Sequence, residues 1–234
     1  MTEINDFYNN RIVIKPWGSE YTIYKNSNKL AITFLNIKHK QKTSLHCHPK
    51  KKTGFIILKG TAEVQIGLYK SNIKKYGPIS RLVFRPGLFH SLKAASKGGV
   101  NALEFETPVN KKDLIRFKDE YGREKKPYEG IKYTRKINSK LFKFAKPKYG
   151  RSQKYKINNL EISLEVHKDF KNLIKKNDNS ISAILNGKII DSKKQNVICH
   201  GEIVKTKTLK KLSEVFKIDK YLTILRVKRL KKNN

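Results

Sequence analysis

A pair of histidines separated by one residue constrains the fold of this chain more than any other feature of its sequence. His46 and His48 are followed by a strand-like run, Gly54–Leu58, which Gly60 soon closes. On a β-strand, residues i and i+2 point to the same face, so both imidazoles would project into one cavity. Imidazole is a ligand for Zn, Cu, Fe and Ni, and the pair therefore predicts part of a metal site.

A third histidine follows a turn signal further along the chain. Pro86 and Gly87 predict a turn, and His90 then enters a second strand-like stretch. An H-x-H strand, a glycine-closed strand and a P-G-x-x-H element in this order resemble the paired motif of the cupin superfamily. The resemblance implies a small β-barrel in which two antiparallel strands bring His46, His48 and His90 together as metal ligands. Three neutral imidazoles with open positions could hold a divalent metal, with Zn²⁺ expected first and Fe²⁺, Mn²⁺ or Ni²⁺ as alternatives.

Further strand signals extend the barrel over the first half of the chain. Short apolar or alternating runs recur between Gly and Pro turns, and no convincing amphipathic helix interrupts them. These runs are Glu20–Tyr24, Leu30–Ile37, Thr61–Tyr69, Ile79–Phe84 and Val100–Thr107. The pattern predicts an all-β fold, a jelly-roll-like cupin barrel that can hold one small ligand.

Five motifs narrow the resemblance to one branch of the cupins. In chain order they are Pro16-Trp17-Gly18, Ser44–His48, Gly60–Val64, Pro86–His90 and Asp113–Arg123. The set is similar to that of the phosphomannose-isomerase-like cupins, the type II mannose-6-phosphate isomerases. The resemblance implies a metal-dependent aldose–ketose isomerisation of a sugar phosphate such as mannose 6-phosphate, or action on a nucleotide sugar, in polysaccharide precursor synthesis.

Two positions depart from the pattern of that family. The family pattern has a glutamate four or five residues after the second histidine, where this chain has Lys52 and Thr53. His46 stands where these isomerases usually have glutamine. An isomerisation still needs a positioned base to move the proton, and we expect the catalytic residue to be Glu104 or Glu106 on the last barrel strand.

Four basic residues are expected to bind the anionic part of the substrate: Lys51, Lys52, Arg116 and Arg123. Arginine presents a forked cation that suits bidentate contact with phosphate, and Asp113 and Asp119 could orient the two arginines. An alternative is that these carboxylates and arginines pin the tail to the barrel through salt bridges, and the two roles are compatible. The two lysines could equally belong to a solvated loop.

The net charge of +34 over 234 residues would by itself favour nucleic acid, an anionic membrane or phosphorylated substrates as partners. The charge is mostly lysine in scattered pairs and triples, without a recognisable nucleic-acid motif, so we expect no nucleic-acid partner. No apolar stretch approaches the ~20 residues that span a bilayer, and the N-terminus lacks the basic-then-apolar build of a signal peptide. With only two cysteines, the chain is expected to be cytoplasmic, without disulfides or membrane contact.

The sequence of the second half of the chain is weakly similar to that of the first. We therefore divide the chain into domains 1–134 and 135–234. Ile181–Ile190 is similar to Phe55–Val64, although the second half lacks an H-x-H pair. This internal similarity predicts a degenerate second cupin-like β domain, which makes the chain a bicupin. The two isolated histidines of this half are not expected to be ligands.

The residues leave two other functions open. The missing glutamate fits a non-catalytic cupin that binds a sugar or nucleotide sugar, or a regulator, and the three-histidine set fits an iron dioxygenase. One barrel hosts many chemistries, so fold analogy does not choose among them. Resemblance to cupins also implies a homodimer.

Overall fold

The computed structural model describes residues 8, 10–125, 129–138, 141–174 and 179–230. The chain divides into two compact units, Met1–Lys143 and Phe144–Asn234. The first unit extends past the expected boundary at residue 134, because the segment that follows still belongs to it. A strand that begins at residue 134 pairs with the first strand of the unit, and the Phe142 ring packs edge-on against Phe34.

Short strands build the first unit, as the sequence predicts. Its described residues form β1 (Arg11–Lys15), β2 (Gly18–Asn26), β3 (Leu30–Ile37), β4 (Leu45–Cys47), β5 (Lys52–Lys59), β6 (Ala62–Ile66), β7 (Ile73–Tyr76), β8 (Arg81–Phe84), β9 (His90–Ala94), β10 (Val100–Thr107), β11 (Ile115–Lys118) and β12 (Thr134–Lys136). Two short 3₁₀ turns, Lys70–Asn72 and Ile131–Tyr133, lie between strands.

Two antiparallel sheets form the walls of a barrel in this unit. The larger sheet has the order β12-β1-β2-β3-β10-β5-β8, and the smaller sheet has the order β11-β4-β9-β6-β7. Apolar side chains from both sheets meet between them, among them Leu35 and Phe55 from the larger sheet and Val64 and Leu92 from the smaller. Two facing sheets around one core are the jelly-roll arrangement of a cupin, so the prediction of an all-β cupin barrel is confirmed.

The barrel interior changes character along its strands. Because side chains alternate across a strand, residues i and i+2 share the inner face. On β10, Ala102 lies in the apolar core, whereas Glu104 and Glu106 follow it on the same face. On β5, Phe55 lies in that core, and Thr53 precedes it directly opposite Glu106. One end of the interior is therefore apolar, and the other presents hydroxyl and charged groups.

The second unit contains one antiparallel sheet and two short helices among its described residues. Its elements are β13 (Gln153–Ile157), β14 (Leu160–His167), α1 (Lys171–Ile174), β15 (Ile181–Ile190), β16 (Asn196–Cys199), β17 (Ile203–Lys205), α2 (Thr206–Ser213) and β18 (Lys217–Arg229). The sheet order is β13-β14-β18-β15-β16, with β17 also paired to β15. Leu173 of α1 and Leu209 of α2 pack with Ile184 and Ile224 of the sheet in one core. This is a second, degenerate β unit, as predicted.

Neither helix of the second unit exceeds eight residues. In the part of the chain that the structure describes, no helix combines the length and the apolar character needed to cross a membrane.

Candidate metal centre and its cavity

The three predicted metal ligands lie together on the smaller sheet. His46 on β4 is the direct strand partner of His90 on β9, and His48 follows immediately after the end of β4. The ring centroids of His46 lie 4.6 Å from His90 and 5.0 Å from His48, and those of His48 and His90 are 5.6 Å apart. Ligand atoms of all three residues lie within 4.8 Å of one another, so the cluster could hold a metal ion.

Backbone carbonyls fix the tautomer of each ring. The Nδ1 atom lies within hydrogen-bond distance of a carbonyl oxygen in all three, at 2.7 Å in His46, 2.6 Å in His48 and 2.9 Å in His90. A carbonyl can only accept, so each Nδ1 carries the proton and each Nε2 keeps its lone pair. In the described part of the chain, the Nε2 atoms of His48 and His90 are buried without a hydrogen-bond partner. A metal ion would supply that partner, and outer hydrogen bonds of this kind are what orient metal-binding histidines.

Burial keeps the three imidazoles neutral. It lowers the pKa of His48 to about 3, and the positive charge of Lys51 acts in the same direction. Burial also lowers the pKa of His90 to about 4, and it lowers the pKa of His46 well below its ordinary value, with the other two histidines adding to the effect. The neutral form of imidazole is the one that binds metal, so no proton has to leave these rings at neutral pH.

A cavity of about 70 Å³ lies beside the histidines. Its charged lining has five cations and three carboxylates: Lys15, Lys51, Lys111, Arg116 and Arg123, with Glu20, Glu104 and Glu106. His46 and His48 belong to the same lining, and Trp17 borders it from the apolar core. The structure therefore brings most of the predicted site residues to one cavity, whereas Lys52 is not part of its lining.

The two predicted catalytic glutamates have opposite environments. Glu106 is 3% exposed, its Oε1 accepts a hydrogen bond of 2.8 Å from the Lys51 ammonium, and its Oε2 lies 3.0 Å from Nζ of Lys111. Burial alone would raise the pKa of Glu106, but the two lysine charges outweigh burial and hold this pKa below its ordinary value. Glu104 makes no ion pair with any described residue, and burial together with the charge of Glu106 raises its pKa to about 7. Glu104 is the carboxyl group that can exchange a proton near neutral pH.

The two arginines also differ in their contacts. Arg123 donates to both carboxylate oxygens of Asp119, at 3.0 and 2.7 Å, and to Glu129 at 2.7 Å. Arg116 on β11 is the strand partner of His46, and its Nη1 donates to the carbonyl of Arg123 at 3.2 Å. The contacts of Arg123 are those of the salt-bridge alternative, in which it ties the tail to the barrel. A substrate role for either arginine stays a prediction.

Asp113 has contacts that differ from the expected ones. Its place in the tail motif suggests a carboxylate that orients an arginine, but the carboxylate accepts hydrogen bonds from the backbone N–H groups of Lys50 and Lys51, at 3.1 and 2.8 Å. The carbonyl of Asp113 accepts the Nδ1–H of His48. Asp113 therefore holds both the turn after His48 and the imidazole ring itself. Its place at the start of the tail motif marks it in the sequence, but nothing there identifies these partners.

Lys15 and Lys111 line the cavity although no motif identifies them. Lys111 lies beside Glu106, and Lys15 forms ion pairs with Glu20 and Glu129. Strand alternation could have identified Lys15, because it lies two residues after a buried valine on β1 and faces the same side. Lys111 lies in a loop, where no periodicity marks the side that faces the cavity.

Comparisons with known proteins match the first unit most directly. A family model described as Mannose-6-phosphate isomerase C-terminal matches residues 3–119, which include the strands β1 to β11 and the three histidines. No curated protein matches the chain in sequence.

Solved structures resemble the chain at low identity. A point mutant of Bacillus subtilis oxalate decarboxylase has a TM-score of 0.45 at 14% identity, and the similarity covers 97% of this chain and 77% of that one. The capsular polysaccharide assembling protein CapF from Staphylococcus aureus has a TM-score of 0.40 at 13% identity, with coverage of 46% and 34% in the same order. A cupin-superfamily sugar phosphate isomerase from Silicibacter pomeroyi has a TM-score of 0.36 at 12% identity, with coverage of 45% and 64%. The chain spans less than two thirds of the latter two structures.

Proposed function

The chain belongs to the mannose-6-phosphate isomerase C-terminal family, and from that premise we propose that its first unit catalyses a metal-dependent aldose–ketose isomerisation of a sugar phosphate. Such a reaction moves a proton between neighbouring carbons of the sugar. It needs a Lewis acid for the sugar oxygens, a carboxyl group that exchanges a proton near neutral pH, and cations for the phosphate. The observation that carries the proposal is that His46 and His48 of the three-histidine cluster line the same cavity as Glu104, whose pKa is raised to about 7.

The donor set fits a divalent metal, for which we expect Zn²⁺ first and Fe²⁺, Mn²⁺ or Ni²⁺ as alternatives. The Nε2 atoms of His46, His48 and His90 would hold it, because the Nδ1 atoms already donate to carbonyls. When bound, such a metal supplies the Lewis acid. The remaining chemistry falls to the side chains around the cavity.

Glu104 is our candidate for the acid–base catalyst. A carboxyl group with a pKa of about 7 is present in both forms at neutral pH, so it can accept the proton from one carbon and return it to the next. Glu106 is the weaker candidate, because lysine ammonium groups face both of its oxygens and hold it ionised. We assign to Glu106 the role of holding Lys51 and Lys111 beside the substrate.

Cations on the cavity wall are proposed to receive the phosphate. Lys51 and Arg116 line the cavity and carry the charge for this contact. Arg123 already holds two carboxylates and Lys52 lies outside the lining, so we assign both a smaller share of the binding. We further propose a cytoplasmic homodimer that acts in the supply of polysaccharide precursors.

The test is an assay of mannose 6-phosphate and fructose 6-phosphate interconversion by protein loaded with each of the four metals. We expect conversion that falls at least about 100-fold in Glu104→Gln, because a positioned acid–base group contributes about that much, and that disappears in His48→Ala. His39→Ala is the matched control, since His39 bonds the carbonyl of Ser96 and lies outside the cluster. A protein that holds one metal per chain and converts neither sugar with any of the metals would reject the isomerase.

A non-catalytic cupin that binds a sugar or nucleotide sugar is the second candidate. Thr53 favours it, because this residue occupies the inner face of β5 where the family pattern has a carboxylate. Calorimetry with GDP-mannose on metal-free protein separates the candidates. Binding that survives complete metal removal, without turnover, supports the non-catalytic cupin.

A further inference from the structure

The formal charges around the cavity balance before any metal is added. Five cations line it, namely Lys15, Lys51, Lys111, Arg116 and Arg123. Three carboxylates line it as well, and two more, Asp119 and Glu129, are bound to these cations. Among the described residues that line or pair within this cavity, five positive charges thus face five negative ones. Glu104 is the one of these five carboxylates that makes no ion pair with a described residue, and its pKa of about 7 leaves it only partly ionised at neutral pH, so no full negative charge is left over for a metal ion.

The ligand set adds no negative charge of its own. The three imidazoles are neutral, and no carboxylate oxygen joins their cluster among the residues that the structure describes. Thr53 stands where a glutamate of the family pattern would face the cavity, and its hydroxyl is buried without a hydrogen-bond partner. The carboxylate directly across the strand pair is that of Glu106, which already faces two ammonium groups.

A dication held by these histidines would therefore bring two uncompensated positive charges into a mostly buried cavity. An unpaired charge is costly to bury, and three neutral nitrogen ligands leave at least one coordination position open. We propose that the site binds its metal together with an anionic oxygen ligand, which fills the open position and supplies the charge that the missing glutamate would carry. This inference rests on the proposed function, because it requires a metal at the three histidines.

The size of the cavity limits the part of the anion that enters. One water molecule needs about 10–15 Å³ of such space, so about 70 Å³ admits only a small group. A carboxylate with a neighbouring hydroxyl group, or one phosphate group, meets this limit. The anion is a free small hydroxycarboxylate or a phosphate group, and both present oxygen anions to the metal and to Lys51 and Arg116. A sugar phosphate that fills the position with its phosphate binds as a ligand and not as the substrate of the isomerisation, because its carbonyl then lies off the metal.

Coupling between metal and anion can be measured with Co²⁺ as the metal probe, because its visible absorption reports its ligands. Co²⁺ affinity is determined in a non-coordinating buffer and then with glycolate, with mannose 6-phosphate and with neutral mannose. We expect each effective anion to raise Co²⁺ affinity at least tenfold and to change the absorption bands, and mannose to do neither. Linkage requires that Co²⁺ raise the anion affinity by the same factor. Whether glycolate or mannose 6-phosphate raises the Co²⁺ affinity identifies the chemical class of the anion.

Two variants test the charge argument, and each should make the site less dependent on anions. Thr53→Glu supplies the charge within the chain, so it should bind Co²⁺ tightly without an anion. Lys51→Met removes one positive charge. This variant provides a second test if the glutamate introduced in Thr53→Glu prevents folding. Lys50→Met is the matched control, since this lysine is exposed and outside the lining, and its anion effect should equal that of the wild type.

The outcomes separate this inference from the proposed function. If Co²⁺ binds at the histidines with an affinity that no anion changes, the inference is overturned and the metal site stands. An anion effect of wild-type size in both Thr53→Glu and Lys51→Met also overturns it. If no Co²⁺ binds under any condition, the metal site itself is rejected, and the inference with it.

Discussion

Each unit contains a sheet with the same order of five strands, and the units differ in the rest of their structure. In the first unit β2, β3, β10, β5 and β8 are neighbours in that order, and in the second unit β13, β14, β18, β15 and β17 are neighbours. The two series have the same order along the chain as well as across the sheet. The second unit therefore keeps five strands of the larger sheet in the same order.

Among the described residues of the second unit, no sheet corresponds to the smaller sheet of the first unit, which carries the histidines. The first unit has β4 with His46 between β3 and β5, and the second has α1 between β14 and β15. The first unit has β9 with His90 between β8 and β10, and the second has α2 between β17 and β18. Helices thus occupy the chain positions of both ligand-bearing strands. The comparison teaches that the metal site and the supporting sheet are separable parts of this fold.

The largest effect expected from this comparison concerns metal content. His90→Ala should lower bound Zn²⁺ from about one ion per chain to none, because two imidazoles leave the ion short of protein ligands. His167→Ala in the second unit is the control, since His167 pairs with Glu165 and should leave the metal content unchanged. Elemental analysis of both variants checks this. Retained metal in His90→Ala, or metal lost from His167→Ala, contradicts the assignment.

The units should also lose stability over different pH ranges when metal is absent. The pKa values of His48 and His90 are lowered from 6.5 to about 3 and about 4, so the unfolded chain binds more protons. Their contribution is complete above pH 6.5 and is lost as the pH falls toward 4 for His90 and toward 3 for His48, with about 2 kcal/mol lost per histidine at pH 5. In the second unit, burial would raise the pKa of Glu165, but its bonds with His167 and Arg226 lower it to about 2. That contribution is lost only as the pH falls from 4.5 toward 2.

The pH dependence of stability is measured in the Glu104→Gln variant. The raised pKa of Glu104 makes the folded state bind more protons, so its contribution to stability grows as the pH falls from 7 to 4.5 and would mask that of the histidines. Hydrogen exchange followed by mass spectrometry reports the amides of each unit separately. Equal protection of the first unit at pH 7 and pH 5 would contradict neutral buried histidines.

Gly60 in the first unit and Gly187 in the second should contribute similarly to the stability of their units. Gly60 after β5 has a φ of +76°, and Gly187 in β15 has a φ of +82°. A Cβ would lie 2.1 Å from a backbone carbonyl oxygen at Gly60 and 1.9 Å from one at Gly187. Alanine at either position should destabilise its own unit by about 2–4 kcal/mol, because both the backbone conformation and the space exclude a side chain. Hydrogen exchange measures this, with Gly77→Ala as the control, since nothing lies near that position.

The smallest predicted effect concerns a residue of the first unit that lies outside the strands compared above. Asp113→Ala should weaken Zn²⁺ binding about 10–100-fold, because it frees the turn that orients His48. Asp113→Asn should recover part of the affinity, since its amide oxygen still accepts a backbone N–H. Glu120→Ala is the control, because this half-exposed residue lies in the same segment and, among the described residues, forms its ion pair with Lys42. Metal titration together with circular dichroism of the metal-free form checks the result. Equal affinity in the Ala variant of Asp113 and in the control would remove its positioning role.

The barrel, the family and the histidine cluster could be predicted because their signals are local. Alternation, Gly and Pro turns and short motifs place His46, His48 and His90 on neighbouring strands, and the family match confirms the resemblance. The ion pair of Lys111 with Glu106 could not be predicted, because the two residues meet only in the folded chain. The helix α1 was also missed, since its four described residues show no period.

Trp17 gives the first unit an optical reporter of its own. It is the sole tryptophan of the chain, it is 5% exposed, and it borders the cavity. Light that excites indole but not phenol therefore produces emission from the barrel alone, although the eleven tyrosines are spread over both units. Filling of the cavity changes the surroundings of this ring, so its occupancy can be followed in the intact chain without a label.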